Sequence, residues 1–295
     1  MLDRYRFVAA EAARHAVALL CRLVEVSRSG DYARRGRGAS ARAAADDALR
    51  PRIAAIYTTS RGTYGSPRVH ADLRAAGVTC GRRRVARLMR AAGLRGCHGR
   101  RRTIRTTVAD RAARPAPDRV ERAFAPAQVG ALGRLWLADI SYVATHEGWR
   151  YLAVVLDAFS RRVVGWAMAD HLRAALVVDG LAMASGNRRP EAGLVHHSDR
   201  GCQYTSLAFG AALREAGILP SMGAVGDCYD NAVAESFFAT RKVELLHRQL
   251  WVTRRAAQLA IFASIEVWSN RRRRHSTLGY RSPLEHEQAY RQTAA

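Results

Sequence analysis

Lysine is nearly missing from this chain. Lys242 is the single one, so 47 of the 48 basic residues are arginine. With alanine abundant throughout, such a skew reflects coding bias and excludes reading a role into each arginine. Acids are scarce as well: 25 of them leave a net charge of +23 and a pI near 11.2. The five cysteines, Cys21, Cys80, Cys97, Cys202 and Cys228, are odd in number and never form a Cys-x-x-Cys pair. That excludes a disulfide framework or a zinc ribbon and suits a reducing cytoplasm. No apolar run approaches the ~18 residues of a membrane span. The first residues, MLDRYRFVAAEAARHAVALLC, are interrupted by Asp3, Glu11 and arginines, unlike the continuous apolar region of a signal peptide.

What is present is a long basic chain with real cores. Its 295 residues accommodate one large domain and a smaller one, and 48% hydrophobic residues set it apart from a low-complexity packing protein. A strong positive field attracts polyanions, nucleic acid above all. Residues 1–100 read as helical, because apolar clusters recur at three- and four-residue spacing between glycines. In SPRVHADLRAAG, Ser66 reads as an N-cap, Pro67 as the first helical position and Gly77 as the stop. In GRRRVARLMRAAG, Val85, Leu88, Met89 and Ala92 form one stripe, with arginines on the other faces. The two segments predict a helix-turn-helix within about residues 46–96, either DNA-facing or an ordinary hairpin with a solvated basic face. Residues 81–114 hold twelve arginines against one acid, Asp110, which favours DNA and makes Arg82, Arg83, Arg84, Arg87 and Arg90 candidates for phosphate contacts. Residues 101–128 read as an extended basic linker.

Beyond Gly133 the pattern turns to strands. RLWLADISYVAT, WRYLAVVLDAF and RRVVGWAMA predict an antiparallel meander, followed by a helix, the strand GLVHHSD, a helix, the short strand ILPSM and a last helix. This β-β-β-α-β-α-β-α order is an α/β sheet of mixed strands covered by helices, over residues 129–250, with a C-terminal helical extension over 251–295. Three acids stand out in it. Asp139 sits midway along the first strand, Asp199 ends the fourth, and Glu235 lies on the last helix among Val233, Phe237 and Phe238. Groups at strand ends and adjoining helices converge on one edge of such a sheet. Three converging carboxylates repel unless cations bind, and hard oxygen ligands suit Mg²⁺ or Mn²⁺, two of which can serve in-line phosphoryl transfer. Each acid also has a plainer explanation: a turn for Asp139 or Asp199, the helix dipole for Glu235, which falls one residue past N3 if Asn231 is the N-cap. Lys242 lies seven residues after Glu235, on the same helix face and roughly 10 Å along, where it could hold a phosphate. Asp157 fits an Asx turn as well as a metal. His196 and His197 point to opposite sides of a strand, so both cannot easily reach one metal, and they read as structural or as supports behind a metal ligand.

WLADIS, HHSDRGCQYTS and GDCYDNAVAESFFATRKVEL together resemble the three catalytic motifs of the bacterial transposases of the insertion sequence three family, relatives of retroviral integrases. Between Asp139 and Asp199 lie 59 residues, and between Asp199 and Glu235 lie 35, the latter interval being the family's usual one. WSNRRRRHSTLGYRSPLEHE resembles the family's C-terminal signature, with Ser269 where an aromatic commonly stands. SRGTYGSPRVHADLRAAGV through RVARLMRAAGLRG resembles its helix-turn-helix region. SRSGDYARRG departs from relatives, which carry two aromatics and a tryptophan in place of Asp31 and the arginines. The resemblance implies a ribonuclease H-like catalytic core preceded by an all-α helix-turn-helix-type region, in which Asp139, Asp199 and Glu235 bind two Mg²⁺ ions and Lys242 touches DNA. It also implies an upstream-frame partner, joined by frameshifting, since no heptad segment precedes the core. A homo-oligomer on DNA and a cytoplasmic, nucleoid-associated location follow from the same resemblance. Arg272, Arg273, Arg274 and His275 then read as a DNA-gripping loop, the other reading being the solvated end of a helix. The reaction implied is metal-dependent cleavage at an element end followed by 3′-hydroxyl strand transfer. A structure-selective nuclease on the same fold and a noncatalytic DNA-binding regulator are the alternatives.

Overall fold

The computed structural model describes residues 2–35, 40–98, 116–223 and 231–294. Strand β1 (Leu135–Thr145) turns back as β2 (Gly148–Asp157), and β3 (Val163–Ala169) completes an antiparallel meander. The chain then crosses through α-helices to β4 (Val195–Ser198) and β5 (Leu219–Met222), which add parallel to β1, so the sheet order is β3-β2-β1-β4-β5. The predicted order of elements is the order observed.

Apolar residues line both faces, so both must be covered. Leu135, Leu137, Leu152, Val154 and Leu156 form one layer, while Trp136, Ala138, Ala153 and Val155, alternating with them along the strands, form the other. The second layer packs on the crossover helices between β3, β4 and β5, Ala174–Arg188 and Leu207–Glu215. Gly165 of β3 is required there, because a Cβ would collide with the Gly180 carbonyl and the Ala184 amide. The first layer packs on the helix Ala232–Glu244, through Ala234, Phe237 and Phe238, and on the C-terminal helix Arg254–Phe262 with its π-helical continuation Ala263–Ser269. Burying each phenylalanine contributes roughly 2–3 kcal/mol to holding that helix on the sheet.

Two domain boundaries differ from the sequence reading. Residues 101–115 of the expected linker lie outside the described residues. Residues 116–128 are not an extended linker: Val120 and Phe124 are buried in the first layer and the Arg119 amide donates to Ser221 Oγ at 2.9 Å. The expected C-terminal extension is likewise part of that core, since Trp251, Ala257, Ile261 and Ile265 fill it. Apolar complementarity, not composition, draws both segments in.

In chain order the helices are α1 (Leu2–Glu11), α2 (Val17–Leu23), α3 (Arg28–Arg35), α4 (Ala41–Thr59), α5 (Ser66–Ala75), α6 (Arg82–Ala91), α7 (Pro126–Val129), α8 (Ala174–Arg188), α9 (Leu207–Glu215), α10 (Ala232–Glu244), α11 (Arg254–Phe262) and α12 (Pro283–Ala294). Ser40 starts α4, its Oγ accepting from the Ala43 amide at 3.2 Å. Helices α4, α5 and α6 share a core of Leu49, Ile53, Val69, Leu73, Val85, Leu88 and Met89. Gly65, not Ser66, is the N-cap of α5, which places Pro67 in the first turn. Gly77 follows α5 at φ +75°. Ala92 lies past the end of α6 and is exposed, so the apolar stripe is one residue shorter than expected. Val8, Leu20 and Cys21 form a separate small cluster in the first helices, and the departing Asp31 is buried on α3.

Candidate active site

Asp139 and Asp199 come together because β1 and β4 run parallel. Leu137 pairs with His197, and two residues further along each chain brings Asp139 level with Asp199, just past Ser198 where β4 ends. Adjacent strands lie ~4.8 Å apart, so the two carboxylates share a small space. Each also serves its own backbone: Asp139 Oδ1 accepts from the Ile140 amide at 2.8 Å, Asp199 Oδ1 from the Gly201 amide at 3.0 Å. The turn role considered for Asp199 is therefore real and coexists with the site.

Helix α10 delivers the third acid. Asn231 occupies its N-cap position without making a side-chain cap, and instead its Nδ2 donates to the Ala138 carbonyl at 3.0 Å. The start of α10 is thereby tied to the residue before Asp139, with Glu235 exposed on the first turn. Lys242, two turns on, is half-buried with its Nζ 5.5 Å from the Tyr142 ring centroid.

Electrostatics link these groups. Burial, then the charges of Asp199 and Glu235, push the Asp139 pKa up to about 7, against the Ile140 hydrogen bond and Lys242, which lower it. Burial raises Asp199, opposed by the Gly201 amide, and burial with the Asp199 charge raises Glu235. Asp139, Asp199, Tyr142, Gln203 and Tyr204 line an open cavity of about 190 Å³. Among the described residues no three His, Cys, Asp or Glu side chains converge tightly enough to enclose an ion. The chemistry of the donors nonetheless fits a divalent cation, because hard carboxylate oxygens with raised proton affinity carry negative charge that the protein leaves uncompensated.

The other candidates of this region have structural roles. Asp157 Oδ1 accepts from the Ser160 amide (2.8 Å) and its Oδ2 from the Gly133 amide (3.0 Å), closing the β2–β3 turn. His196 is buried in the α8/α9 layer against Tyr204 and Phe209, and His197 Nδ1 meets Ser221 Oγ at 2.9 Å on the other side. The sequence reading passed over Tyr204, whose buried hydroxyl has no hydrogen-bond partner among the described residues and is raised by burial and the Asp139 and Asp199 charges. It also passed over Tyr142 and the Asn231–Ala138 tie. The aromatic so soon after Asp199 was the available signal for the first; the tie had none.

The DNA-binding candidates divide by what already holds them. Arg82, Arg83 and Arg90 are exposed on α6 and form no ion pair among the described residues. Arg84 and Arg87 instead grip Asp46 of α4 at 2.6 and 2.5 Å. The expectation for the arginine run after the π-helix needs correction. Arg273 is 4% exposed and chelates Glu244 at 2.7 and 2.8 Å, and Arg274 bonds Asp72 (2.7 Å) and Glu285 (2.9 Å). His275, kept neutral by burial and neighbouring arginines, donates its amide to the Arg281 carbonyl. Ion pairs to acids of other segments hold Arg273 and Arg274, and a backbone bond holds His275, so all three join parts of the protein; Arg272 alone of the four candidates stays exposed.

Comparison with known proteins converges on the same regions. Residues 131–228 and 216–283 match models of the integrase core domain, and residues 44–102 match that of the HTH-like domain. The chain is 38% identical over 276 residues to the insertion element IS600 uncharacterized 31 kDa protein of Shigella sonnei, spanning 94% of this chain and 100% of that one. It is 41% identical over 251 residues to the transposase for insertion sequence element IS629 of Shigella sonnei, spanning 85% and 82%. With transposase InsF for insertion sequence IS3A of Escherichia coli (strain K12) it shares 36% identity over 288 residues, 96% and 98% of the two chains.

Proposed function

This chain belongs to the IS3-family transposases of bacterial insertion sequences, and from that premise we propose that Asp139, Asp199 and Glu235 are the catalytic carboxylates of its polynucleotidyl transfer. The observation that carries the assignment is the register that sets Asp139 level with Asp199 and the electrostatic link from both to Glu235. Integrase-type cores work with divalent metal ions; in this reading the three acids would hold two Mg²⁺, or Mn²⁺. When bound, they neutralise the scissile phosphate and lower the pKa of the attacking water.

The chain's own residues divide the remaining work. Asp139 and Asp199 hold the reacting phosphate's surroundings from the sheet, and Glu235 closes the same space from α10. Lys242 neutralises a non-bridging oxygen. In the first step a water oxygen bonds to phosphorus at the element end as the bond to the 3′-oxygen breaks, releasing a 3′-hydroxyl. That hydroxyl then bonds to a target phosphorus as a second 3′-oxygen leaves. One phosphodiester forms as another breaks, so joining needs no outside energy source.

The helix-turn-helix-type region binds DNA, with Arg82, Arg83 and Arg90 of α6 and Arg272 contacting phosphates. Replacing one such arginine lowers the slope of log K against log salt by ~0.9. Two ends must be held together for transfer, which calls for at least two copies on DNA, and the upstream-frame product supplies further end recognition as a fusion. A strand-transfer assay with labelled duplex from the DNA flanking the gene tests the carboxylates. Glu235→Gln is expected to keep DNA affinity within about threefold, because the side chain is exposed, and to lose cleavage and joining by orders of magnitude. Retained cleavage by the variant would sink the assignment; cleavage without joining by the parent chain would make it a nuclease.

A further inference from the structure

We propose that Tyr142 and Trp149 form a stacking shelf for an unpaired nucleobase at the DNA end, beside the carboxylate site. The proposal rests on DNA being the substrate there and adds how its end is held. Strand β1 pairs with β4 only through Leu135, Trp136 and Leu137, so the rest of β1 runs on with a free edge beyond Asp139. Tyr142 lies on that stretch and lines the same cavity as Asp139 and Asp199. Across the β1–β2 hairpin, Trp149 meets it edge to face, centroids 5.1 Å apart at 90°. The rings are 54% and 50% exposed, although the Lys242 ammonium of α10 lies over the Tyr142 ring.

A cross-strand aromatic pair adds stability to a hairpin, but that does not require two half-exposed rings, one of them lining the site. Rings at right angles give a floor and a wall, the shape that receives one planar group on one ring while its edge abuts the other. The flanking charge identifies the occupant. Lys242 Nζ sits 5.5 Å from the Tyr142 centroid, so a ring-shaped group here has a cation within reach of an attached phosphate. Aromatic face plus cation, on a chain of net charge +23, is complementary to a nucleotide, and stacking accepts any base because each has a π-face. A neutral apolar peptide would gain nothing from Lys242. Drawing a terminal base onto the shelf also frays the duplex, which exposes the adjacent phosphodiester to Asp139 and Asp199.

The test measures binding of the full chain to three labelled duplexes from the element end: blunt, with about three unpaired terminal nucleotides, and with abasic residues at those positions. Stacking is worth roughly fivefold or more per base, so the wild type, holding one base on the shelf, should prefer unpaired bases over abasic residues by at least about fivefold. Trp149→Ala and Tyr142→Ala should each remove most of that preference and lower blunt-duplex binding by less than they lower binding to the unpaired end, and Trp149→Phe should keep most of it. Both sites are half-exposed, and thermal melts of each variant check the fold. Equal binding to unpaired and abasic ends by the wild type, or an undiminished preference in both alanine variants, overturns the shelf. Glu235→Gln, assayed alongside for joining, separates the two ideas: it should keep the base preference, and its loss of joining reports on the carboxylates whatever the shelf does.

Discussion

His196 shows how a residue's chemistry is set by its surroundings. Burial, with His197 beside it, pushes its pKa down to about 3, and its Nε2 has no hydrogen-bond partner among the described residues. The folded state thus holds the neutral imidazole, whereas the unfolded chain takes up a proton near pH 6.5. A depressed folded pKa gives stability that is complete above the unfolded value and lost as pH falls through the window between 6.5 and about 3, at up to about 1.4 kcal/mol per pH unit. His196→Phe should flatten that part of a melting-temperature profile against pH; a profile identical to the parent's would show that another group carries the acid sensitivity. The sequence alone marked His196 and His197 as structural from strand alternation. It did not separate Arg84 and Arg87 from Arg82, Arg83 and Arg90, because the difference is Asp46, 38 residues away from Arg84 in the chain.

At the scale of elements, α10 depends on one side chain to start in the right place. Asn231 is buried, and its hydrogen bond to Ala138 satisfies a carbonyl that is itself almost fully buried. Asn231→Ala leaves that acceptor without a partner and should cost about 1–3 kcal/mol in chemical denaturation. Because Glu235 lies one turn beyond, strand cleavage well below the melting temperature should fall further than that stability loss explains, while DNA affinity holds. Cleavage at the parent rate in a folded Asn231→Ala would show that the tie does not position Glu235. The helix itself was legible from its apolar spacing and Phe237–Phe238. The tie was not, since an Asn before a helix reads equally as a cap.

For the whole molecule the question is what joins the helix-turn-helix unit to the catalytic core. Trp268, from the π-helical turn, is buried among Leu49, Ile53 and Leu73, with its ring 5.5 Å from Tyr64. Glu244 at the end of α10 gathers Arg273, Arg241 at 3.1 Å and Arg68 of α5 at 3.7 Å. Burial raises the Glu244 pKa, but the Arg273 hydrogen bonds and the three guanidinium charges outweigh it and leave it lowered. Glu244→Ala strands the cations together and should cost about 3–5 kcal/mol. Trp268→Ala should cost a similar amount and, by emptying the joint, split thermal unfolding into two transitions with faster proteolysis between the units. A single cooperative transition at the parent's temperature would place the coupling elsewhere. The joint also ends on the helix that carries Glu235, so the DNA-binding and catalytic units share a rigid element.

Local and periodic features were determined by the sequence itself: the strand and helix order, the helix-turn-helix segment, the three acids and the arginine-rich charge. Each is written in neighbouring residues, as alternation, as three- and four-residue spacing, or as motifs at set intervals. Tertiary structure alone decided which acids stand level, which arginines stay exposed, and that residues 116–128 and 251–265 complete the core. Those outcomes depend on pairs far apart in the chain, Arg162 with Glu287 or Arg274 with Asp72 among them, whose proximity is created only when apolar layers close. A charge's role follows from the partner that burial brings to it, and no local pattern names that partner.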